Sequence, residues 1–197
     1  MFYPDRFQRA IERFDVANAD DPNRELFEGV EQSKELLYAR RMTACLDRFH
    51  PDAPEPVRLA ARSQHIRRWT VSRADYPDGR DGYRRWRIDL ARFHASTAAA
   101  ILREVGYDDV RIARVESLLR KEYLKTDGDV QLLEDVICLV FLQHYLSDFA
   151  SKHEEGKVLG VLRKTWRKMS DEGRATALDL ELPRELRALV ELAIGSD

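Results

Sequence analysis

The chain has 197 residues, of which 44% are hydrophobic and 35% are charged, and its formal net charge is −2. A chain of this length can bury one good hydrophobic core, so we expect a single helical domain over residues 1–197. The nearly balanced charge argues against a general coat for nucleic acids, because non-specific duplex binding needs a large positive face.

Cysteine usage and hydropathy favour a reduced, cytoplasmic protein. Cys45 and Cys138 both lie within apolar helical patterns, and no segment resembling a secretory signal precedes them, so we expect buried free thiols. The longest wholly apolar run covers 136–142. That is well short of the roughly 18 to 20 residues of a membrane span, so we expect no contact with a membrane.

Helical periodicity dominates the first half of the chain. Apolar residues at helical spacing predict helices over 4–17, 24–49 and 55–69. In the third of these, Arg62, His65 and Trp69 would lie on one face. Residues 70–82 are dense in turn-forming side chains and are predicted to form the one substantial internal loop.

The second half of the chain continues the pattern. Five more helices are predicted. Four of them cover 83–105, 108–122, 154–169 and 183–193, and the fifth begins between 127 and 129 and includes 136–142. Gly106 is expected to cap the helix over 83–105 at its C-terminal end. Residues 136–142 are apolar on nearly every side, which predicts a central, buried helix. Glu134 and Asp135 lead into that helix and therefore need partners. With no convincing strand, the predicted fold is all-α, a single compact bundle of seven to eight helices.

An arginine-rich segment stands out between residues 58 and 94. Residues 58–92 contain ten arginines and four aspartates, a local charge of +6. His65 and His94 lie in the same segment, and guanidinium groups beside histidines suit a site for phosphate or carboxylate groups. A solvated helix face, on which the arginines pair with the four aspartates, explains the same composition.

Helical spacing groups part of this segment further. Residues 83, 87, 90, 94, 97 and 101 share one face of the predicted fourth helix, which places Tyr83, Arg87 and His94 together. The chain has no Gly-x-Ser-x-Gly turn and no glycine-rich phosphate loop, and neither cysteine lies in an activating polar setting. Covalent catalysis and P-loop chemistry are therefore disfavoured.

Motifs along nearly the whole chain resemble an uncharacterised family catalogued as domain of unknown function 4202, for which no activity is established. They are His65-Ile66-Arg67-Arg68-Trp69, Tyr76-Pro77 with Gly79-Arg80-Asp81-Gly82-Tyr83, Trp86-Arg87, Phe93-His94-Ala95, Leu119-Arg120-Lys121-Glu122, Leu133-Glu134-Asp135-Val136 and Cys138-Leu139-Val140-Phe141-Leu142.

The same pattern is distantly similar to the HD-domain metal-dependent phosphohydrolases. The resemblance implies an HD-domain-like helical fold in which His65, His94 and Asp135 hold a divalent metal such as Fe, Mn, Zn or Mg. It departs from the family at two positions: Ile66 replaces the Asp of the His-Asp pair, and Tyr38 stands at the spacing of the first His.

The chemistry of such a metal site would also give roles to the cationic residues. A bound metal would activate water and screen the phosphate charge. The expected substrate-binding residues are Arg68, Arg73, Arg80, Tyr83 and Arg87. The expected catalytic residues are Lys121, which would neutralise the leaving group, and Glu122, which falls near a further ligand position of the family.

Three functional interpretations remain open on this sequence. The first is a metal-dependent phosphohydrolase acting on a nucleotide or another small phosphorylated compound. The second is a metal-free helical module in which the arginines and Trp69, Tyr83 and Trp86 bind an anionic ligand, with single-stranded RNA or a tRNA end as a less favoured partner. In the third, His65 and His94 are ordinary hydrogen-bonded histidines and Asp135 is paired to a cation across helices.

Overall fold

The computed structural model describes residues 5–124 and 126–195. This part of the chain is all-α, as predicted, apart from one small hairpin. It contains ten α-helices instead of seven or eight. They are α1 (Arg6–Ala19), α2 (Lys34–Phe49), α3 (Glu55–Ser63), α4 (Gly79–Glu104), α5 (Asp109–Arg120), α6 (Gly128–Val140), α7 (Leu146–Ser151), α8 (Glu155–Lys168), α9 (Asp171–Asp179) and α10 (Arg184–Ile194).

The chain divides into two compact units, one ending at Val130 and the other beginning at Gln131. The division falls within the first turn of α6, and each unit has buried apolar side chains of its own. A single domain over residues 1–197 stays a prediction.

A β-hairpin occupies the first ten residues of the helix predicted over 24–49, so that part of the prediction was wrong. β1 (Arg24–Phe27) pairs antiparallel with β2 (Val30–Ser33). The two turn residues, Glu28 and Gly29, have φ of 51° and 78°. Two left-handed residues in succession form a turn whose twist matches that of paired strands, and a helix cannot accommodate them.

The third helix ends at Ser63, six residues earlier than predicted. Arg67 has a left-handed backbone (φ 49°), and its N–H donates to Asn18 Oδ1 at 2.9 Å. His65 therefore lies in a turn and does not share a helix face with Arg62, whose guanidinium binds the Asp15 carboxylate at 2.6 Å instead. A tertiary contact with the end of α1 thus overrides the local helical pattern.

α4 begins at Gly79, so the loop before it covers only 71–78 and contains a 3₁₀ turn at Arg73–Asp75. Gly82, in the first turn of α4, packs so closely on Pro77 that a Cβ would lie 1.8 Å from the Pro77 carbonyl oxygen. The other end of α4 is capped as predicted. Gly106 has φ of 90°, and the N–H of Tyr107 donates to the Leu102 carbonyl, which is the usual glycine cap.

In the first unit, α4 lies along α5, and α3 packs against both α2 and α5. Apolar side chains from all five helices fill the interior. The fully buried large ones are Phe14, Met42, Leu46, Leu59, Ile66, Leu102, Ile112, Leu118 and Leu119. This core fixes the positions of α4 and of the turn that follows α3, which carry His94 and His65, and of α2, which carries Glu35.

In the second unit, Asp135 organises the start of α9, a helix the sequence did not predict. Its carboxylate accepts hydrogen bonds from the Ser170 N–H at 2.8 Å and from the Ser170 hydroxyl at 2.6 Å. Gly173 permits this close packing, since a Cβ there would lie 2.6 Å from Asp135 Oδ1. The neighbouring Glu134 is buried and pairs with Lys168 at 3.3 Å. Both acids thus have the partners that their position requires.

The helical stretch Gly128–Ser151 runs through a π-helical segment, Phe141–Tyr145, into α7. In the described ranges it is the one helix long and apolar enough to cross a membrane. We expected no segment of this kind because the longest wholly apolar run, residues 136–142, is much shorter than a membrane span. In the 18 consecutive residues of this helix that meet the hydropathy limit, 56% is buried. The length and composition of this helix are therefore also those of a buried core helix. Cys45 and Cys138 are both buried and are not joined in a disulfide, as predicted.

We predict that Gly82→Ala lowers the free energy of unfolding by about 1–3 kcal/mol, because the added methyl group cannot fit against the Pro77 carbonyl. Gly160→Ala is the matched control. Gly160 lies inside α8 with no atom within 4 Å of a Cβ, so alanine there should raise stability by about 0.5–1 kcal/mol through helix propensity. Urea denaturation measures both. Equal effects would contradict the close packing at Gly82.

Candidate functional site

A pocket of about 430 Å³ opens in the first unit, lined by both histidines of the arginine-rich segment. Its lining contains six cationic side chains and one acid. The cations are Arg68, Arg84, Arg87, Arg92, Arg120 and Lys121, and the acid is Glu122. We call this cavity the histidine–arginine pocket.

His94, on α4, contributes a buried imidazole that is 4% exposed. Its Nδ1 lies 2.8 Å from the carbonyl oxygen of Ile66, and because a carbonyl only accepts, Nδ1 carries the proton. Burial lowers the pKa of His94 to about 3, so the ring is neutral at pH 7. Its Nε2 is therefore a lone-pair acceptor, and within the described part of the chain this buried atom has no hydrogen-bond partner.

His65 lies beside His94, with ring centroids 5.9 Å apart. Its ring stacks on Tyr38 at a centroid distance of 3.9 Å and an interplanar angle of 11°. Its Nδ1 lies 3.1 Å from Glu35 Oε2. Burial, together with the charges of nearby arginines, lowers the pKa of His65 well below its ordinary value.

Glu35, in the first turn of α2, is the acid that orients His65. Burial raises its pKa to about 7, although the Arg68 guanidinium acts in the opposite direction. The pair therefore has two forms near neutral pH. In one, ionised Glu35 accepts from Nδ1–H and leaves the lone pair on Nε2 of His65. In the other, protonated Glu35 donates to Nδ1 and Nε2 carries the proton.

Two fully buried polar residues support Glu35 from α1 and the loop after it. Asp21 accepts a hydrogen bond from the Glu35 N–H at 2.9 Å. Asn18 donates to the Glu35 carbonyl at 3.5 Å and accepts from Arg67, two residues after His65. One buried network thus fixes both halves of the Glu35–His65 pair.

Arg68 lines the histidine–arginine pocket and also lies close to the Glu35–His65 pair. Its guanidinium lies 3.7 Å from Glu35 Oε1 and 4.9 Å from the ring centre of Trp86. Trp86 is buried, and its indole N–H donates to the Val71 carbonyl at 3.1 Å. The tryptophan therefore anchors Arg68 and the loop, and Arg68 covers its ring.

The remaining cations differ in how firmly they are held. Arg120 is paired with Glu122 at 2.9 Å and Arg92 with Asp89 at 3.7 Å. Arg84 and Arg87, one helical turn apart, are exposed and form no salt bridge with any residue in 5–124 or 126–195.

Lys121 follows α5 with a left-handed backbone (φ 57°), the position that glycine usually occupies after a helix. The N–H groups of Lys121 and Glu122 donate to the Leu118 and Ser117 carbonyls and hold this conformation. A left-handed residue with a side chain is strained, and such strain is concentrated at functional sites in proteins.

The structure brings together six of the ten site residues expected from the sequence: His65, His94, Arg68, Arg87, Lys121 and Glu122 line the histidine–arginine pocket. Three others lie outside its lining. Arg73 donates to the Tyr76 carbonyl within the loop, Arg80 is exposed in the first turn of α4, and Tyr83 is half-exposed with its ring 5.7 Å from Trp86. Asp135 belongs to the second unit, where Ser170 and Gln131 occupy its carboxylate.

Sequence reasoning missed several lining or supporting residues. Glu35 stands alone in a stretch predicted as mid-helix, and nothing in the sequence links it to His65, 30 positions away. Gln64 is an ordinary polar residue beside a histidine. Arg84 was predictable, because residues 84, 87, 91 and 94 share one face of α4.

The donor set in the described residues does not complete a metal site. The two free imidazole nitrogens supply two ligands, whereas protein metal sites usually have three or four. In 5–124 and 126–195, no group of three or more His, Cys, Asp or Glu side chains is arranged to hold a metal ion. Tyr38 stacks on His65, and Ile66 is fully buried in the core.

The raised pKa of Glu35 predicts a pH-dependent difference in stability between the wild type and Glu35→Gln. Below about pH 4.5 the carboxyl is protonated in both folded and unfolded chains. As the pH rises through about 7, the unfolded chain releases the proton first, so the wild type loses stability relative to the variant. The relative loss should approach about 3 kcal/mol and then level off.

Urea denaturation at a series of pH values measures this difference, with Glu31→Gln on the hairpin as the control. Glu31 is exposed, so its substitution should leave the pH dependence unchanged. A Glu35→Gln curve parallel to that of the wild type from pH 4.5 to 8 would show that Glu35 is not the buried acid described here.

The chain as a whole was compared with known proteins. No curated protein matches the chain, and no solved structure matches it. A family model described as "Domain of unknown function (DUF4202)" matches residues 8–190, which is most of the chain. The protein therefore belongs to the DUF4202 family.

Proposed function

We propose that the histidine–arginine pocket binds a small phosphorylated compound. The observation that carries this proposal is the excess of six cationic side chains over one acid around a single cavity. Arg84 and Arg87 are not neutralised by neighbouring acids in the described residues, so a bound anion gains their full attraction. Planar guanidinium groups donate two parallel hydrogen bonds to a phosphate, which favours phosphate over a spherical anion.

The size of the pocket supports a small ligand. A volume of about 430 Å³ lies within the range of cavities that enclose metabolites, which is about 300–1,000 Å³. A nucleotide or a sugar phosphate has this size. The pocket is also partly lined by apolar groups, including Leu90 and Leu119, which suit the carbon skeleton of such a compound.

The aromatic side chains give less support to single-stranded RNA as the ligand. Trp86 is buried beneath Arg68, so its ring is not available for stacking on a base. Tyr83 is half-exposed but does not line the pocket. Stacking platforms with free ring faces are what single-stranded nucleic acids require. A free phosphorylated compound is therefore the better fit.

We predict that Arg87→Ala weakens the binding of AMP and glucose 6-phosphate by about tenfold or more, because it removes a charge-assisted hydrogen bond. Arg80→Ala is the matched control, since it removes the same charge from the same helix outside the pocket lining. Isothermal titration calorimetry measures both. Equal weakening by the two variants would mean that only the summed charge of α4 attracts the ligand, and the pocket assignment would fall.

Hydrolysis of the bound phosphate ester is the second candidate function, favoured by the paired imidazoles. Each histidine uses Nδ1 for an internal hydrogen bond and has Nε2 left for a ligand or a proton. Attack of water on phosphorus would break the ester P–O bond, and the proton lost by water would pass to Nε2 of His65. A bound phosphate raises the pKa of His65, which makes it a better proton acceptor. The ammonium group of Lys121 would neutralise the leaving oxygen by giving it a proton, so that this oxygen departs as a hydroxyl group.

An HD-domain-like fold with a divalent metal (Fe, Mn, Zn or Mg) belongs to the same proposal. It rests on the sequence resemblance, in which His65, His94 and Asp135 are the metal ligands. The metal would supply an activated water. No step is assigned to the metal, because no group of three or more His, Cys, Asp or Glu side chains in the described residues is arranged to hold one.

For hydrolysis we predict that His65→Asn lowers the turnover of glucose 6-phosphate or AMP by about 100-fold or more, because the proton acceptor is lost while asparagine still hydrogen-bonds to Glu35. Phosphate release measures turnover, with each metal added in turn and with EDTA. His153→Asn, in the second unit, is the control and should keep full turnover. If no variant or metal affects phosphate release above background, the pocket is a binding site alone.

A further inference from the structure

The buried part of the histidine–arginine pocket differs chemically from its exposed part. We call the buried lining residues the inner wall; they are Gln64, Leu90, His94 and Leu119. We call the exposed arginines the rim; they are Arg84, Arg87, Arg92 and Arg120. The rim is cationic, whereas the inner wall has no charge.

Two polar atoms of the inner wall lack partners. His94 Nε2 and Gln64 Oε1 are both buried and form no hydrogen bond within the described ranges of the chain. The two residues are only 4% and 7% exposed. An unpaired buried acceptor costs about 1–3 kcal/mol, so native proteins rarely leave one without a use.

The chemistry of these atoms specifies what they need. Nδ1 of His94 faces the Ile66 carbonyl and holds the only ring proton, so Nε2 can only accept. Oε1 of an amide likewise accepts only. When Glu35 is ionised, Nε2 of His65 adds a third acceptor to the same pocket. The inner part of the pocket therefore requires a ligand that donates hydrogen bonds.

Charge decides which kind of donor fits. An ammonium group would be repelled by the six cations around the cavity. A hydroxyl group donates a hydrogen bond without carrying charge. Leu90 and Leu119 beside the two acceptors provide apolar contact for the C–H faces between hydroxyl groups.

We propose that the ligand is a phosphate ester of a polyhydroxylated compound, such as a sugar phosphate, bound with its phosphate at the rim and its hydroxyl groups donating to His94 Nε2 and Gln64 Oε1. This inference rests on the proposed function, since it assumes that the rim binds phosphate. It narrows the class of compound from any small phosphate ester to one with free hydroxyl groups.

The test compares three probes by isothermal titration calorimetry: ribose 5-phosphate, n-pentyl phosphate and inorganic phosphate. The first two have five carbons and the same phosphate group, but only ribose 5-phosphate has hydroxyl groups on its carbon skeleton. We expect ribose 5-phosphate to bind at least about fivefold more tightly than n-pentyl phosphate, because the alkyl chain leaves the two acceptors unpaired.

Gln64→Met locates the effect. It should raise the melting temperature, because an unpaired buried polar group is replaced by an apolar one of similar shape. It should also lower the affinity for ribose 5-phosphate at least about fivefold while leaving the affinity for inorganic phosphate unchanged. Gln131→Met is the control: Gln131 donates to Asp135 and to the Lys168 carbonyl in the second unit, so its loss should lower stability and leave all three probes unaffected.

Equal affinity of the wild type for ribose 5-phosphate and n-pentyl phosphate would overturn the inference, and this comparison needs no variant. An unchanged affinity of Gln64→Met for ribose 5-phosphate would also overturn it. In both cases the proposed function would stand as long as Arg87→Ala weakens binding and Arg80→Ala does not. If none of the phosphorylated probes binds the wild type, the proposed function itself fails.

Discussion

The hydrogen bond between Glu35 and His65 is the contact on which the site depends. It joins the start of α2 to the turn after α3, and both ends are held by the buried Asn18 and Asp21. A carboxyl buried this deeply needs polar partners, and the His65 imidazole and the Arg68 guanidinium provide them. The result is a fixed imidazole whose second nitrogen faces a cationic cavity.

Several features of the pocket lower the stability of the first unit, and the burial of its hydrophobic core offsets them. His94 and Gln64 have buried atoms without partners in the described residues, and Glu35 is ionised only with difficulty. Arg67 and Lys121 both have left-handed backbones although neither is glycine. Each of these features is unfavourable alone, and their concentration around one cavity is typical of a site shaped for a ligand. The hydrophobic core of α1 to α5 supplies the compensating free energy.

The second unit uses similar chemistry for structure instead. Asp135 is a buried acid with a raised pKa caused by desolvation, yet its carboxylate is occupied by Ser170 and Gln131. There it fixes the start of α9, and Gly173 makes room for it. Two buried acids of one chain thus have different roles: Glu35 orients a histidine beside a cavity, and Asp135 holds Ser170, the residue that caps α9.

The sequence by itself determined the all-α class, most helix positions, the burial of both cysteines and the grouping of arginines with His65 and His94, because these follow from local periodicity and composition. It did not determine the hairpin at 24–33, where Glu28 and Gly29 have left-handed backbones. Nor did it determine the early end of α3, where the left-handed Arg67 donates its N–H to Asn18, 49 positions away. Nor did it find Glu35, because a buried hydrogen bond between side chains 30 positions apart forms only once α2 and α3 pack together. Tertiary structure alone decided which six of the expected residues line one cavity. The distance between side chains on different elements depends on how the helices pack and not on the spacing of residues along the chain.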